Sequence, residues 1–182
     1  MKSSTKDQSA EQSIKIVLIG LDNSGKTSIL NCLKGIKAIS AFNNPMPTKG
    51  LDVQLFEALA SKYAIWDLGG QKAYLEEYFN DFKKFVKGTN KIIYVIDIQD
   101  DQRYDLALEY LKKVINSIED QKNIDFSVFL HKYDPDLVFN NELNDLVIND
   151  FITKIKEIFP PKFIYSINKT TIYAIFEKTM IT

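Results

Sequence analysis

Gly20-Leu21-Asp22-Asn23-Ser24-Gly25-Lys26-Thr27 decides how this chain folds. The octapeptide meets the G-x-x-x-x-G-K-[ST] pattern of a phosphate-binding loop, and it follows an apolar run, Ile14 to Ile19, that reads as a buried strand. Its glycines let the main chain wrap closely around phosphate oxygens with successive N–H groups pointing inward. The helix that begins near Lys26 adds the positive end of its dipole. Asp22, Asn23, Ser24, Gly25, Lys26, Thr27 and Ser28 are therefore the candidate phosphate contacts. In such a loop the lysine neutralises the β- and γ-phosphates, and the Thr27 hydroxyl is a hard oxygen ligand for a magnesium ion that bridges them. An amphipathic helix after the loop, with Ile29, Leu30 and Leu33 on one face, supplies the context the pattern requires.

Working outward, a chain of 182 residues with 45% hydrophobic content is long enough for a single domain with a filled core. Residues 14–182 read as that domain. Residues 1–13 are polar, lack helical apolar periodicity and read as a flexible tail. A formal net charge of −1 leaves no global electrostatic case for nucleic acid or an anionic membrane. Arg103 is the sole arginine, whereas base readout and phosphoryl-transfer clamps favour the bidentate guanidinium. Cys32 is the lone cysteine, expected in the first helix as a small buried hydrophobe, so no disulfide forms within the chain and a reducing, cytoplasmic setting fits. No apolar run is long enough to span a bilayer, Lys2 stands where N-myristoylation needs glycine, and no C-terminal prenylation cysteine is present. No direct membrane anchor is evident, and membrane association is expected only through a partner.

After the first helix, Lys37 to Gly50 carries Asn43-Asn44-Pro45-Met46-Pro47, which breaks regular structure and predicts a surface loop. Leu51 to Leu59 and Lys62 to Asp67 are extended runs separated by Ala60-Ser61. That spacing predicts a hairpin, which makes the first run antiparallel to an otherwise parallel sheet. Gly69-Gly70 opens a second loop into a helical stretch, Ala73 to Lys87, whose aromatics Tyr74, Tyr78, Phe82 and Phe85 read as helix core, a dedicated partner surface being the alternative. Lys91 to Ile98 is a central strand, and Tyr104, Leu108, Leu111, Ile115 and Ile118 mark one side of the next helix. Asp125 to Leu130 is a strand that delivers the single histidine into His131-Lys132-Tyr133-Asp134-Pro135. Leu143, Val147, Phe151, Ile155 and Ile158 give a helix stopped by Pro160-Pro161, Phe163 to Ser166 a last short strand, and Thr171 to Lys178 the start of a closing helix. Such alternation predicts an α/β layered fold with a mostly parallel sheet. Its ligands bind at the carboxyl ends of the strands, in the loops after Ile19, Asp67, Asp97, Leu130 and Tyr165.

Together these segments resemble a small GTPase of the Ras superfamily, intermediate between the Arf-like and Rag-like branches, from Ile14 to Lys178. The loop from Gly20 to Thr27, Pro47-Thr48-x-Gly50 and Trp66-Asp67-x-Gly69-Gly70-Gln71 are similar to Arf motifs. The spacing from Gly70-Gln71 to Glu77-Tyr78-Phe79, the His131-Lys132-x-Asp134 motif, and Ser166-Ile167 followed by Thr171-Ile172-Tyr173 resemble Rag proteins. The resemblance implies the fold of a P-loop GTPase (G domain): a central, mostly parallel six-stranded sheet with one antiparallel edge strand and helices on both faces. It implies GTP/GDP and Mg2+ as ligands. Thr48 resembles the first-switch threonine that contacts magnesium and the γ-phosphate, Asp67 the residue that holds magnesium through water, and Gly70 the amide that bonds the γ-phosphate. Gln71 matches the glutamine that orients the attacking water, so Gln71, Lys26 and Thr48 are the expected catalytic residues and Thr27, Thr48 and Asp67 the expected metal ligands.

For the base, Asp134 can accept from the guanine N1–H and exocyclic amine, the stem of Lys132 can lie over the ring, and the Ile167 amide beside Ser166 matches the group that bonds O6. His131 replaces the more usual asparagine, and serves equally well as a satisfied structural residue or as a tether near the nucleotide. Asp22 stands where many small GTPases carry glycine, a charge that can favour nucleotide release. Leu51, Trp66 and Tyr78 match an Arf partner-binding patch, a plain core role being the alternative. Regulatory proteins (an exchange factor, a GTPase-activating protein) and effectors are the implied partners, through that patch and the switch loops. The lipidated N-terminal helix of Arf proteins and the C-terminal dimerisation domain of Rag proteins have no counterpart, so membrane cycling and Rag-type pairing are not expected.

The expected function is a molecular switch in which GTP with magnesium holds the loops around Thr48 and Gly70 in one arrangement and slow hydrolysis releases them. Arg103 is expected beyond the fourth strand, away from the catalytic position, so no arginine finger is evident; a partner's finger is worth roughly 10³–10⁵ in rate. One alternative is a guanine-nucleotide-binding scaffold with little or no hydrolysis. Another is an ATP-using phosphate-loop enzyme, which would clamp its substrates with several arginines.

Overall fold

Successive side chains of a strand point to opposite faces, so Val17, Leu18 and Ile19 can all be buried only if both faces of their sheet are covered. All three are at most 1% exposed in the computed structural model, which describes residues 14–33, 50–58, 61–68, 82–118, 123–135, 137 and 143–172. The strands are β1 (Ile14–Ile19), β2 (Leu51–Ala58), β3 (Ser61–Leu68), β4 (Lys91–Asp97), β5 (Asp125–His131) and β6 (Tyr165–Lys169). They form one six-stranded sheet in the order β2-β3-β1-β4-β5-β6. β2 lies at the edge, antiparallel to β3, and every other pairing is parallel. The architecture is the one the motifs implied.

The described helices are α1 (Lys26–Leu33), α2 (Phe82–Val86), α3 (Tyr104–Ser117) and α4 (Asp145–Ile158). On one face Ile29 and Leu30 of α1 cluster with Leu18, Ile65, Ile93 and Val95. On the other, Leu111 and Val114 of α3 and Ile148, Phe151 and Ile155 of α4 join Val17, Ile19, Tyr94, Ile96 and Val128. Each such side chain contributes about 1.5–3 kcal/mol by leaving water. The buried Tyr94 hydroxyl donates to the Ala107 carbonyl at 2.7 Å, which satisfies the one polar atom that strand β4 sends into the α3 layer. α4 begins where it does because the Asn144 side-chain oxygen accepts from the N–H groups of Leu146 (3.0 Å) and Val147 (3.2 Å).

Several local expectations change. The last strand starts at Tyr165 rather than Phe163, because the Phe163 N–H bonds the Pro160 carbonyl at 2.9 Å in a turn. Its ring then packs edge-on to Phe126, with centroids 5.6 Å apart, as a core plug rather than a ladder residue. Cys32 is exposed rather than buried, and Leu33 is 46% exposed, outside the cluster that Ile29 and Leu30 join. On α4 the buried line runs through Ile148, Phe151 and Ile155, leaving Val147 at the surface. Of the stretch Ala73 to Lys87, Phe82 is buried and Phe85 packs against the same core, whereas Tyr74 and Tyr78 lie outside the described residues. So do the tail expected before Ile14, the loop expected from Lys37 to Lys49 and the closing helix expected from Thr171, apart from Thr171 and Ile172 themselves, which are not helical. No described helix is long and apolar enough to cross a membrane.

Candidate functional site

The chain turns immediately after β1, at a position that admits no side chain: a Cβ on Gly20 would stand 2.1 Å from the Val95 carbonyl oxygen of β4. Asn23 takes a left-handed backbone, φ 58°, which asparagine tolerates better than most residues. Lys26 then folds back over the loop it follows. Its Nζ donates to the carbonyls of Gly20 (3.0 Å) and Leu21 (2.7 Å), with Ser24 Oγ at 3.5 Å. Burial pulls its pKa down to about 8, against the opposing pull of Asp67 and Asp22, and the Arg103 guanidinium pushes the same way as burial. The ammonium meets oxygen dipoles rather than a carboxylate, so a phosphate anion entering the loop would restore the charged form that burial disfavours. The donor set fits a phosphate.

The register Leu18↔Asp67 between β1 and β3 brings Asp67, fully buried, to the root of the loop. There Thr27 Oγ1 donates to Asp67 Oδ2 at 3.0 Å. A hydroxyl beside a carboxylate is an all-oxygen set of the kind that suits magnesium, which takes one or two carboxylates plus phosphate oxygens and keeps several waters.

Across the same edge of the sheet, Asp97 and His131 pair at the ends of β4 and β5. Asp97, 8% exposed, accepts from Lys132 Nζ at 2.6 Å and from the Gln99 N–H at 3.0 Å. Lys132 itself has φ 59°, a strained backbone for a long side chain and one held by its neighbours. The Gln99 amide donates to Asp134 Oδ2 at 2.9 Å and to the Lys132 carbonyl at 2.7 Å, and the Thr171 hydroxyl donates to Asp134 Oδ1. His131 is 1% exposed, and its Nδ1 lies 3.0 Å from Thr170 Oγ1. Burial foremost, then the Lys132 charge, lowers its pKa against the pull of Asp134 and Asp97, so the ring is neutral at pH 7.

Lys26, Thr27, Asp67, His131, Lys132 and Asp134 therefore lie along one carboxyl edge. Ser166 and Ile167 do not reach it: they sit inside β6, paired with Ser127 and Val128, and the Ser166 hydroxyl donates to Ser127 Oγ at 3.0 Å. Because β6 continues to Lys169, the residues that meet His131 and Asp134 are Thr170 and Thr171. Their signal in the sequence was the polar pair Thr170-Thr171 directly after the strand. Thr48, Gly70, Gln71 and Tyr78 lie outside the described residues. Leu51 and Trp66 share one face of the β2–β3 hairpin with Val53, and the Lys15 ammonium stands 3.7 Å over the Trp66 ring.

Arg103 also departs from expectation. A turn at Asp101–Arg103 carries the chain back over the strand ends, and Arg103 Nη1 reaches Asp22 Oδ1 at 2.6 Å. The strand-end rule had pointed to the loop after Asp97, but not to the residue in it that touches the phosphate loop. Asp97 and Gln99 were likewise not singled out.

Residues 1–160 match the model of the ADP-ribosylation factor family. An ADP-ribosylation factor-like protein, alp41, of Schizosaccharomyces pombe is 34% identical over 58% of this chain and 52% of its own length. ADP-ribosylation factor-like protein 2 of Dictyostelium discoideum is 35% identical over 72% of this chain and 67% of its own length. The match thus spans about half of the first relative and two thirds of the second. Among solved structures, the Arl6 small GTPase from Trypanosoma brucei with the bound nucleotide analogue GppNp superposes with a TM-score of 0.63 at 21% identity, over 88% of this chain and 87% of that one.

Proposed function

Because the chain belongs to the ADP-ribosylation factor family, we propose that it is a guanine-nucleotide switch, binding GTP and GDP with magnesium and hydrolysing GTP slowly. The observation that carries the proposal is the pairing of a phosphate-loop lysine, buried among carbonyls, with a carboxylate, Asp134, presented at the far end of the same sheet edge. A carboxylate accepts from both the N1–H and the exocyclic amine of guanine, whereas adenine offers no such donor pair. Thr171 orients that carboxylate, and the Ile172 amide, next along the chain, takes the O6 role first assigned to Ile167. Thr27 and Asp67 would hold magnesium, which would supply positive charge against the outer phosphates.

The finer assignments follow the motifs. Thr48 and Gly70 sense the γ-phosphate, and Gln71 orients the attacking water. His131-Lys132-x-Asp134 is the Rag-like element in an otherwise Arf-like site, with His131 in a structural role beneath the nucleotide. Regulators and effectors would use Leu51, Trp66, Tyr78 and the switch loops, with the protein cytoplasmic and reaching membranes through a partner. Chromatography of the nucleotide released on denaturing the purified protein tests the ligand: guanine nucleotide is expected, and adenine nucleotide would overturn the reading. Single-turnover hydrolysis with Gln71→Leu tests the enzyme. GTP binding should persist while hydrolysis stops, and an unchanged rate would remove Gln71 from the chemistry.

A further inference from the structure

Arg103 holds the phosphate loop at two points. Nη1 donates to Asp22 Oδ1 at 2.6 Å and Nη2 to the Asp22 main-chain carbonyl at 3.2 Å, while Nε donates to Asp100 Oδ2 at 2.5 Å. Asp100 thus fixes the plane of the guanidinium, and the rigid fork spans two oxygens of one loop residue. The contact to the carbonyl has a geometric consequence. A trans peptide is planar, so its C=O and N–H point in opposite directions, and a guanidinium that holds the Asp22 carbonyl outward holds the Asn23 N–H turned the other way. The clamped peptide leads directly into the left-handed backbone of Asn23, φ 58°. His131 of the base end touches Gly25, and Asn23 lies two residues before that contact in the loop. Its N–H is therefore placed for the phosphates remote from the base.

We propose that Arg103 is a positioning residue: by clamping Asp22 it aims the Asn23 N–H at the outer phosphates and compensates a carboxylate that would otherwise repel them. The inference rests on the guanine-nucleotide reading and gives a role to a residue which that reading leaves unused.

The test measures release of fluorescent GDP, together with equilibrium affinities for GDP and GMP, in wild type, Arg103→Ala, Arg103→Lys and Asp22→Asn. Each variant is first shown folded by circular dichroism. Arg103→Ala should release GDP roughly tenfold faster or more, with GMP affinity unchanged, as expected for loss of a charge-assisted contact serving only the outer phosphates. Arg103→Lys keeps the charge but cannot span both oxygens, and should recover only part of the loss. Asp22→Asn retains the carbonyl contact and removes the repelling carboxylate, and should release GDP no faster than wild type. Lys113→Ala, which removes an exposed ion pair on the helix that follows Arg103, should change nothing. Wild-type GDP release from Arg103→Ala would overturn the proposal while leaving the switch reading intact, and so would equal weakening of GMP and GDP, the mark of a merely structural residue. If wild-type protein binds no guanine nucleotide, both readings fall together.

Discussion

The imidazole of His131 lies against the backbone of Gly25, so close that a Cβ on Gly25 would stand 2.3 Å from His131 Cδ2 and 2.8 Å from Nε2. The other side of the ring is held at 3.0 Å by Thr170 Oγ1. One buried side chain therefore ties the phosphate loop to the segment after β6, and the two ends of the site are fixed relative to each other through it.

Gly25→Ala should be costly, because φ at this position is 92° and the methyl group meets a ring with no room to retreat. A loss of about 2–4 kcal/mol is expected, combining backbone strain and overpacking. Urea unfolding measures it. Adding His131→Ala should return part of the loss, and an unchanged unfolding midpoint in Gly25→Ala would show that the ring and loop are not in register.

Acid should weaken the fold through the same ring. The folded pKa of His131 lies below the ordinary 6.5, chiefly from burial, so on lowering the pH the unfolded chain takes up its proton first. The stability of the neutral ring is complete above pH 6.5 and declines as pH falls below it, at most about 1.4 kcal/mol per pH unit. In His131→Asn, which titrates nothing here, this part of the acid dependence should vanish. Parallel pH–stability curves for the two proteins would contradict the assignment.

Nucleotide binding should take up a proton in mild alkali. Lys26 has a pKa of about 8 in the free protein, below its ordinary 10.5, and an adjacent phosphate must raise it again. Below about pH 8 affinity should be level; above it, affinity should fall by up to about tenfold per unit, since the amine must regain its proton to bind. Calorimetry in two buffers of different ionisation enthalpy reads the proton directly, and identical heats above pH 8 would exclude Lys26 as the phosphate partner.

Asp134→Asn should change base preference rather than abolish binding. The substitution replaces an acceptor by a donor, which mismatches the exocyclic amine of guanine and matches the carbonyl that xanthine carries in its place. XDP should compete better than GDP for this variant, and an unaltered guanine preference would place base recognition elsewhere.

How much of this was legible in the sequence depended on how local each signal was. The phosphate loop, the antiparallel edge strand and the placement of Asp67 and Asp134 at strand ends follow from glycine positions, hairpin spacing and runs of apolar residues. Each of these is encoded within about ten neighbouring residues. Ser166 and Ile167 were assigned by resemblance to a motif, with a strand expected over Phe163 to Ser166 placing them at its end. The strand instead runs from Tyr165 to Lys169, and Phe163 is core rather than ladder. That choice depends on packing against Phe126, 37 positions away in sequence. Arg103 was misjudged for a similar reason, since its contact with Asp22 crosses 81 positions and is set by how the turn after β4 returns over the sheet. Cys32 and Leu33 fit the helical period of α1, yet the cluster on that face ends at Leu30. Periodicity says which side of a helix is apolar but not how far the opposing surface extends.

Competition for the site decides whether guanine nucleotide is the ligand: displacement of a fluorescent GDP analogue from the folded protein, in magnesium buffer, by unlabelled GDP, GTP, ADP and ATP. Both guanine nucleotides should displace it and neither adenine nucleotide should, even in large excess. Equal displacement by ATP, or a folded protein that never takes up the analogue, would contradict the account.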